Sequence, residues 1–155
     1  MKNVYYYSTN LGKIGIADNG DAITNLYFSG EDVPQGTNVK ETALIREAAS
    51  QLKEYLAGQR REFDIHLVLE GTPFQQAVWK VLTAIPYGET RSYGQIAESI
   101  GKPKACRAVG MANNKNPIAI FVPCHRVIGA NGKLIGYAGG VDIKEKLLEL
   151  EKKNK

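Results

Sequence analysis

Residues 1–70 alternate between short apolar runs and turn signals. Val4–Ser8, Ile14–Asp18 and Ala22–Phe28 are rich in β-branched and aromatic residues and are separated by Asn-Leu-Gly and Asp-Asn-Gly. That pattern predicts three short strands joined by tight turns. From Glu41 to Gly58 the spacing changes. Leu44, Ala48, Leu52 and Tyr55 recur on one face and Gly58 supplies a stop, so a helix is expected. Glu62–Leu69 alternates as EFDIHLVL and predicts a further strand. His66 falls there opposite Ile65 and Leu67, as an ordinary surface histidine and not a ligand.

A second segment opens at Gly71-Thr72-Pro73. Thr72 is a good N-cap, Pro73 suits the first helical position and Gln75 completes a capping box. The helix FQQAVWKVLTAI then carries an apolar stripe of Phe74, Val78, Val81, Leu82 and Ile85 around Trp79. Ser92 and Gln95 form another capping box, which opens the helix YGQIAESI with a stop at Gly101; Pro103 is expected to open a third, KACRAVGMAN. Two short helices across a Gly-Lys-Pro turn form a helix-turn-helix candidate. The third helix is unusual for a core element. Ala105, Cys106, Ala108, Gly110 and Ala112 leave one surface almost bare, with Arg107 projecting from it. Small residues allow close approach, and the basic flank points to a nucleic-acid groove. Further on lie an apolar strand IAIFV, a hairpin around Asn131-Gly132 that could serve as a wing, and a loop over Gly136–Gly140. A final helix capped by Asp142 turns Ile143, Leu147 and Leu150 inward. The chain is thus expected to be α+β, with a small N-terminal α/β domain over 1–70 packed on a winged-helix-like helix-turn-helix domain over 71–155.

Charge sharpens the division. Pro73–Lys155 holds 13 Lys or Arg against 6 Asp or Glu, a net of +7, whereas the preceding residues hold 7 against 10, a net of −3. A basic second half beside an acidic first half fits a polyanionic partner for the second. The opening MKNVYYYSTN lacks an apolar signal core, and no stretch approaches the roughly 20 apolar residues of a membrane span. A cytoplasmic protein without membrane attachment is expected. Two cysteines, Cys106 and Cys124, and two histidines, His66 and His125, show no CxxC or HxxxH spacing, so neither a disulfide framework nor a metal is expected.

Cys124 follows Pro123 and precedes His125 and Arg126. A free thiol has a pKa of about 8.5 and needs help to act as a nucleophile at neutral pH. The neighbouring imidazole and guanidinium could supply it. Adjacent side chains diverge, so His125 is expected to act through a water and to need an orienting carboxylate. Spacing leaves Glu145, Glu149 and Glu151 open for that place. A Cys-His pair alone is more often structural than catalytic.

The motif set narrows this. Asn116-Pro117 followed by IAIFVPCHRVI resembles the active-site region of the O6-alkylguanine-DNA alkyltransferases. TPFQQAVWKVLTAIPYGET, SYGQIA, KACRAVGMANNKNP, GYAGG and IKEKLLELE are each similar to family segments, in family order, over Gly71–Glu151. The first 70 residues match only in length and in a ribonuclease H-like fold. The resemblance implies DNA repair by a single, irreversible transfer of an alkyl group from O6-alkylguanine, and also from O4-methylthymine, to Cys124. No cofactor is implied. The partner is double-stranded DNA met through the minor groove by a monomer, with the damaged base flipped out.

It also implies roles. His125 would take the thiol proton through water and Glu151 would pair with His125. Tyr93 would press on the phosphate and bond the flipped base. Arg107 would replace that base in the stack, and Asn116 would be the hinge that satisfies backbone groups on both sides. Tyr137 would wall the guanine pocket, and the carbonyls of Cys124 and Val127 would accept from its amino group. Ala105, Cys106, Ala108, Gly110 and Lys144 complete the expected DNA and substrate contacts. Ala138 stands where many relatives have serine, which is immaterial if only the backbone N–H of that residue meets the guanine oxygen. Two rival readings remain distinguishable: alkyltransferase-like proteins, which bind damage but lack the acceptor cysteine, and a cysteine hydrolase, which would turn over repeatedly.

Overall fold

A computed structural model describes residues 2–134, 136, 137 and 139–155. The chain divides into two compact units, Met1–Leu69 and Glu70–Lys155.

In the first unit, β1 (Asn3–Thr9), β2 (Gly12–Asp18) and β3 (Ile23–Tyr27) form where alternation predicts them, as an antiparallel meander. A fourth strand, β4 (Asn38–Val39), pairs in parallel with β1 and completes the order β3-β2-β1-β4. Two residues are too few for a periodic signal, so β4 has no counterpart among the expected elements. Helix α1 (Ala43–Leu56) starts two residues after Glu41 because Thr42 caps it, accepting from the Ile45 N–H at 3.1 Å. The same hydroxyl donates to buried Asp18 at 2.6 Å, and Asn3 holds the other Asp18 oxygen. The helix therefore starts at a point tied to two strands. Ile45, not Leu44, joins Ala48, Leu52 and Tyr55 on the buried face. Gly58 (φ +77°) ends the helix in the left-handed region, with Gln59 N–H to Glu54 O and Gly58 N–H to Tyr55 O, the bond pair of a Schellman stop.

The strand expected over Glu62–Leu69 is not formed. A lone bridge joins Ile23 to Leu67. The Gln51 side chain brackets Asp64 instead, donating to its carbonyl at 3.0 Å and accepting from its N–H at 2.8 Å. A side chain thus takes the backbone groups that a ladder would use. His66 lies exposed, as its position in the alternation suggests.

In the second unit, α2 (Pro73–Thr83) and α3 (Tyr93–Ser99) both begin with complete capping boxes, Thr72 with Gln75 and Ser92 with Gln95. Trp79 is buried and donates its indole N–H to Ala112 O at 2.9 Å, which ties α2 to α4 (Cys106–Asn114). α4 begins three residues beyond Pro103. No cap side chain precedes it, and Lys102 O is engaged in a turn by the Ala105 N–H. Ala112 is buried and so does not belong to the bare surface expected of this helix.

Two further expectations are corrected. Residues 118–122 form no strand but a buried turn, closed by Val122 N–H to Ile118 O at 3.0 Å. The Asn131-Gly132 turn is present, with Gly129 N–H to Lys133 O at 2.8 Å. However, β6 (Val127–Ile128) pairs in parallel with β5 (Arg91–Ser92), and no returning wing strand is present among the described residues. Helix α5 (Val141–Lys153) is capped at Gly140, with Asp142 inside its first turn. Its buried positions are Lys144, Leu147 and Glu151; Ile143 and Leu150 are only half-buried. Two charged residues therefore share the core face of α5.

Candidate active site

The turn between α4 and Cys124 is shaped by one side chain. Asn116, 7% exposed, accepts from the Ile118 N–H at 3.0 Å and donates to Val122 O at 2.8 Å. Within that loop Ile120 adopts φ +76°, an unfavourable conformation for a β-branched residue that costs about 1–3 kcal/mol and persists only where its surroundings impose it. The Asn116 bonds and the apolar burial of Ile118, Ile120 and Val122 impose it. Cys124 follows at once, opening a single 3-10 turn through Arg126.

Cys124 is 3% exposed. Burial pushes its thiol up to about 11, while Asn116, the Lys144 ammonium and the Tyr137 hydroxyl favour the thiolate and pull it down. Its carbonyl accepts from the Val127 N–H and from Asn113 at 3.3 Å. Both lone pairs are thus engaged, and the expected bond from a guanine amino group at this carbonyl requires the long Asn113 bond to give way. Val127, the other expected acceptor, is buried in β6.

His125 is fully buried, with Nε2 2.6 Å from Glu151 Oε2. Of the three glutamates left open by spacing, the fold selects Glu151. Glu145 and Glu149 are exposed on other faces of α5. Burial lowers the proton affinity of His125 against the pull of Glu151. An unfolded histidine titrates near 6.5, so below that pH the unfolded chain binds a proton that the folded chain resists. Stability is therefore expected to fall as pH drops below about 6.5, by up to ~1.4 kcal/mol per pH unit from this residue. Urea unfolding of the wild type and His125→Gln across pH 5 to 8 checks this, and equal pH slopes would refute it.

Two cations are placed otherwise than expected. The Arg126 guanidinium turns away from the thiol, donating to Glu151 through Nε at 2.8 Å and Nη2 at 3.0 Å and to Ile85 O through Nη1 at 2.6 Å. Lys144, expected among the DNA contacts, is fully buried, with Nζ 5.9 Å from the Tyr93 ring centroid and 3.4 Å from Gly136 O. From there its charge favours the Cys124 thiolate. Burial lowers its own pKa and the thiol raises it. The clue in the sequence was the spacing of Lys144, Leu147 and Glu151, which share one helical face.

Tyr93 is half-buried, and burial with the nearby thiol raises its phenol. Its ring lies beside Gly110, where an added Cβ would stand 3.8 Å away. Gly110 is thus half-buried against the Tyr93 ring. Cys106, Arg107 and Ala108 are exposed on that helix, with Ala105 part-exposed at its start. Tyr137 is half-buried, and Ala138 lies outside the described residues. Among the described residues no His, Cys, Asp and Glu side chains group as a metal site, and no helix is long and apolar enough to cross a membrane.

A buried cysteine next to a His–carboxylate pair lies in the same unit as α4, a helix of small residues that exposes Arg107, the features expected of a protein that brings a thiol to nucleic acid. Residues 4–69 match the family description "6-O-methylguanine DNA methyltransferase, ribonuclease-like domain", and 73–153 match its DNA binding domain. The chain belongs to the 6-O-methylguanine DNA methyltransferase family. It is 54% identical to the methylated-DNA–protein-cysteine methyltransferase of Mycobacterium tuberculosis, over 92% of this chain and 87% of that one. The constitutive Bacillus subtilis protein of that name is 52% identical over 95% of each chain. The crystal structure of Mycobacterium tuberculosis OGT in complex with DNA superposes with a TM-score of 0.94, at 51% identity, over 98% of this chain and 94% of that one.

Proposed function

We propose that the chain repairs alkylated DNA once per molecule, with Cys124 as the acceptor of the alkyl group of O6-alkylguanine, or of O4-methylthymine. Repair by alkyl transfer from DNA to a cysteine of the protein itself is the activity of its family. The geometry around the thiol supports Cys124 as the acceptor. The nucleophile sits at the end of a cinched turn, next to a fully buried His125–Glu151 pair and a buried ammonium. Cys106, by contrast, is exposed at the start of α4.

Resting burial keeps the thiol protonated, so reaction needs its proton removed as substrate arrives. With Nε2 of His125 engaged by Glu151, the proton passes through a water to Nδ1. Sulfur then bonds to the alkyl carbon as the carbon–oxygen bond breaks, and guanine leaves with the electron pair. Tyr93 and the backbone N–H of Ala138 stabilise the charge that develops on the base. The thioether product has no easy return path.

The damaged atom lies inside the duplex stack, so the base must rotate out, at a cost of a few kcal/mol. We read α3, the turn after it and α4 as a helix-turn-helix that enters the minor groove through Ala105, Cys106 and Ala108, with Arg107 filling the vacated place. The chain works as a monomer in the cytoplasm. Mixing it with a duplex containing O6-methylguanine is expected to add a single methyl mass per protein and then stop; repeated turnover would overturn the reading in favour of a hydrolase. Arg107→Ala is expected to slow repair in duplex more than reaction with free benzylguanine. Equal losses in the two assays would remove Arg107 from that role.

A further inference from the structure

Four donors converge on one buried carboxylate. Oε1 of Glu151 accepts from the Gly88 N–H at 3.0 Å and from Arg126 Nε at 2.8 Å. Oε2 faces Arg126 Nη2 at 3.0 Å and His125 Nε2 at 2.6 Å. The remaining Arg126 nitrogen is anchored on Ile85 O at 2.6 Å, and the guanidinium lies 5.7 Å from the Tyr87 ring centroid. The arginine is therefore fixed at both ends, to the terminus of α2 and to α5.

We propose that Arg126 is a positioning residue of the transfer reaction, which grips both oxygens of Glu151 and thereby holds His125 in the tautomer with hydrogen on Nε2 and a lone pair on Nδ1. This deepens the reading of Cys124 as acceptor and rests on it. A carboxylate with two bonds from a guanidinium and one from a peptide N–H stays ionised, and an ionised carboxylate can only accept. The imidazole nitrogen facing it must then carry the hydrogen. A neutral ring is left with its basic nitrogen at Nδ1, the atom that must take up the thiol proton. Without the arginine, Glu151 would be a buried anion that has lost its counter-charge, and such a group tends to protonate. A protonated Glu151 can donate to Nε2, which reverses the tautomer.

The arginine has a second effect. Arg126 and Glu151 together carry no net charge, so the ring is not held as a permanent imidazolium by an uncompensated carboxylate. The titratable groups around His125 are Glu151 and Lys144 from α5 and Arg126 and Cys124 from its own turn, with Tyr87 against the guanidinium and Tyr93 against Lys144. Both Arg126 and Lys144 lower its proton affinity, on top of the larger effect of burial. An empty base at neutral pH is what proton removal from Cys124 requires.

Nitrogen-15 shifts of the His125 ring, read on the DNA-free protein near pH 7.5, test this without depending on alkyl transfer. The wild type is expected to show Nε2–H with an unprotonated Nδ1. A wild-type ring with hydrogen on Nδ1, or an imidazolium, would overturn the proposal. Arg126→Met keeps much of the volume and removes the charge. It is expected to lose the Nε2–H tautomer, either to Nδ1–H or to an imidazolium whose titration moves up by about one pH unit. Arg126→Lys keeps the charge and is expected to restore the wild-type tautomer in part. If Arg126→Met does not fold, the wild-type and Arg126→Lys spectra decide. A folded Arg126→Met with the wild-type tautomer and titration, and only a lower Tm, would reduce Arg126 to a structural tie. Failure of the wild type to gain methyl mass would instead overturn the acceptor assignment and leave the tautomer result standing.

Discussion

Replacing Cys124 by serine is expected to abolish alkyl transfer while leaving duplex binding nearly unchanged. On the proposed reading the sulfur is protonated at rest, its pKa raised by burial, and loses its proton to the His125–Glu151 relay. A serine hydroxyl, with a far higher pKa, cannot be deprotonated there to any useful extent, and oxygen is a poorer nucleophile than sulfur toward saturated carbon. The fold should tolerate the change, because the hydroxyl occupies less volume than the thiol and Asn116 and Tyr137, whose polar groups favour the thiolate, stand near it. Burying that hydroxyl costs about 1–3 kcal/mol at most. Arg107 and Ala108 are on α4, away from the substitution in sequence and exposed, so affinity for duplex and its salt dependence should persist. The check is intact and peptide mass after exposure to O6-methylguanine duplex, with binding measured in parallel. Methyl mass on the Cys106 peptide in Cys124→Ser would overturn the assignment. Lost binding would show the thiol to be a structural element.

Glu151→Ala is expected to have the largest effect on stability, about 3–5 kcal/mol. The carboxylate serves the Gly88 N–H, His125 and both arms of the Arg126 fork. Removing it leaves a guanidinium that is 7% exposed with no counter-charge, which is far costlier than losing a surface ion pair. A domain of this size is stable by only about 5–15 kcal/mol, so the variant should unfold at much lower urea. Transfer should fail as well, since His125 loses its orienting partner. Urea titration with an unchanged slope and a lower midpoint would express the loss cleanly. A cost below about 1 kcal/mol would mean that Arg126 reaches water in solution and that the cluster is not sealed.

Much of the scaffold is local chemistry and could be read from the chain. Thr72 with Gln75 and Ser92 with Gln95 start helices where capping boxes stand, and Gly58 ends one. Each depends on groups within a few residues of one another, so spacing suffices. The meander of β1 to β3 is legible for the same reason, since tight turns fix neighbouring strands. The order of motifs from TPFQQ to LLELE carried the family, and with it Cys124, His125, Asn116 and Glu151 as candidates.

Where the readings failed, a side chain had taken the backbone groups or a distant partner had taken the charge. Gln51 captures Asp64, and no strand forms over residues 62–69. Asn116 bonds Ile118 and Val122, forcing Ile120 to positive φ and turning an apolar run that reads as a strand into a tight buried turn. Spacing alone left Glu145, Glu149 and Glu151 open; the resemblance pointed to Glu151, and its contact with His125 needed the approach of α5 to the 3-10 turn at Cys124. So did the inward placement of Lys144 and the turning of Arg126 away from the thiol. The sequence by itself determined where the two capping-box helices start, which residues are candidates for the chemistry and which family they resemble. Only the tertiary structure decided which charges are desolvated and whom they meet, because those pairings join residues dozens of positions apart and their energies depend on burial that no local pattern encodes.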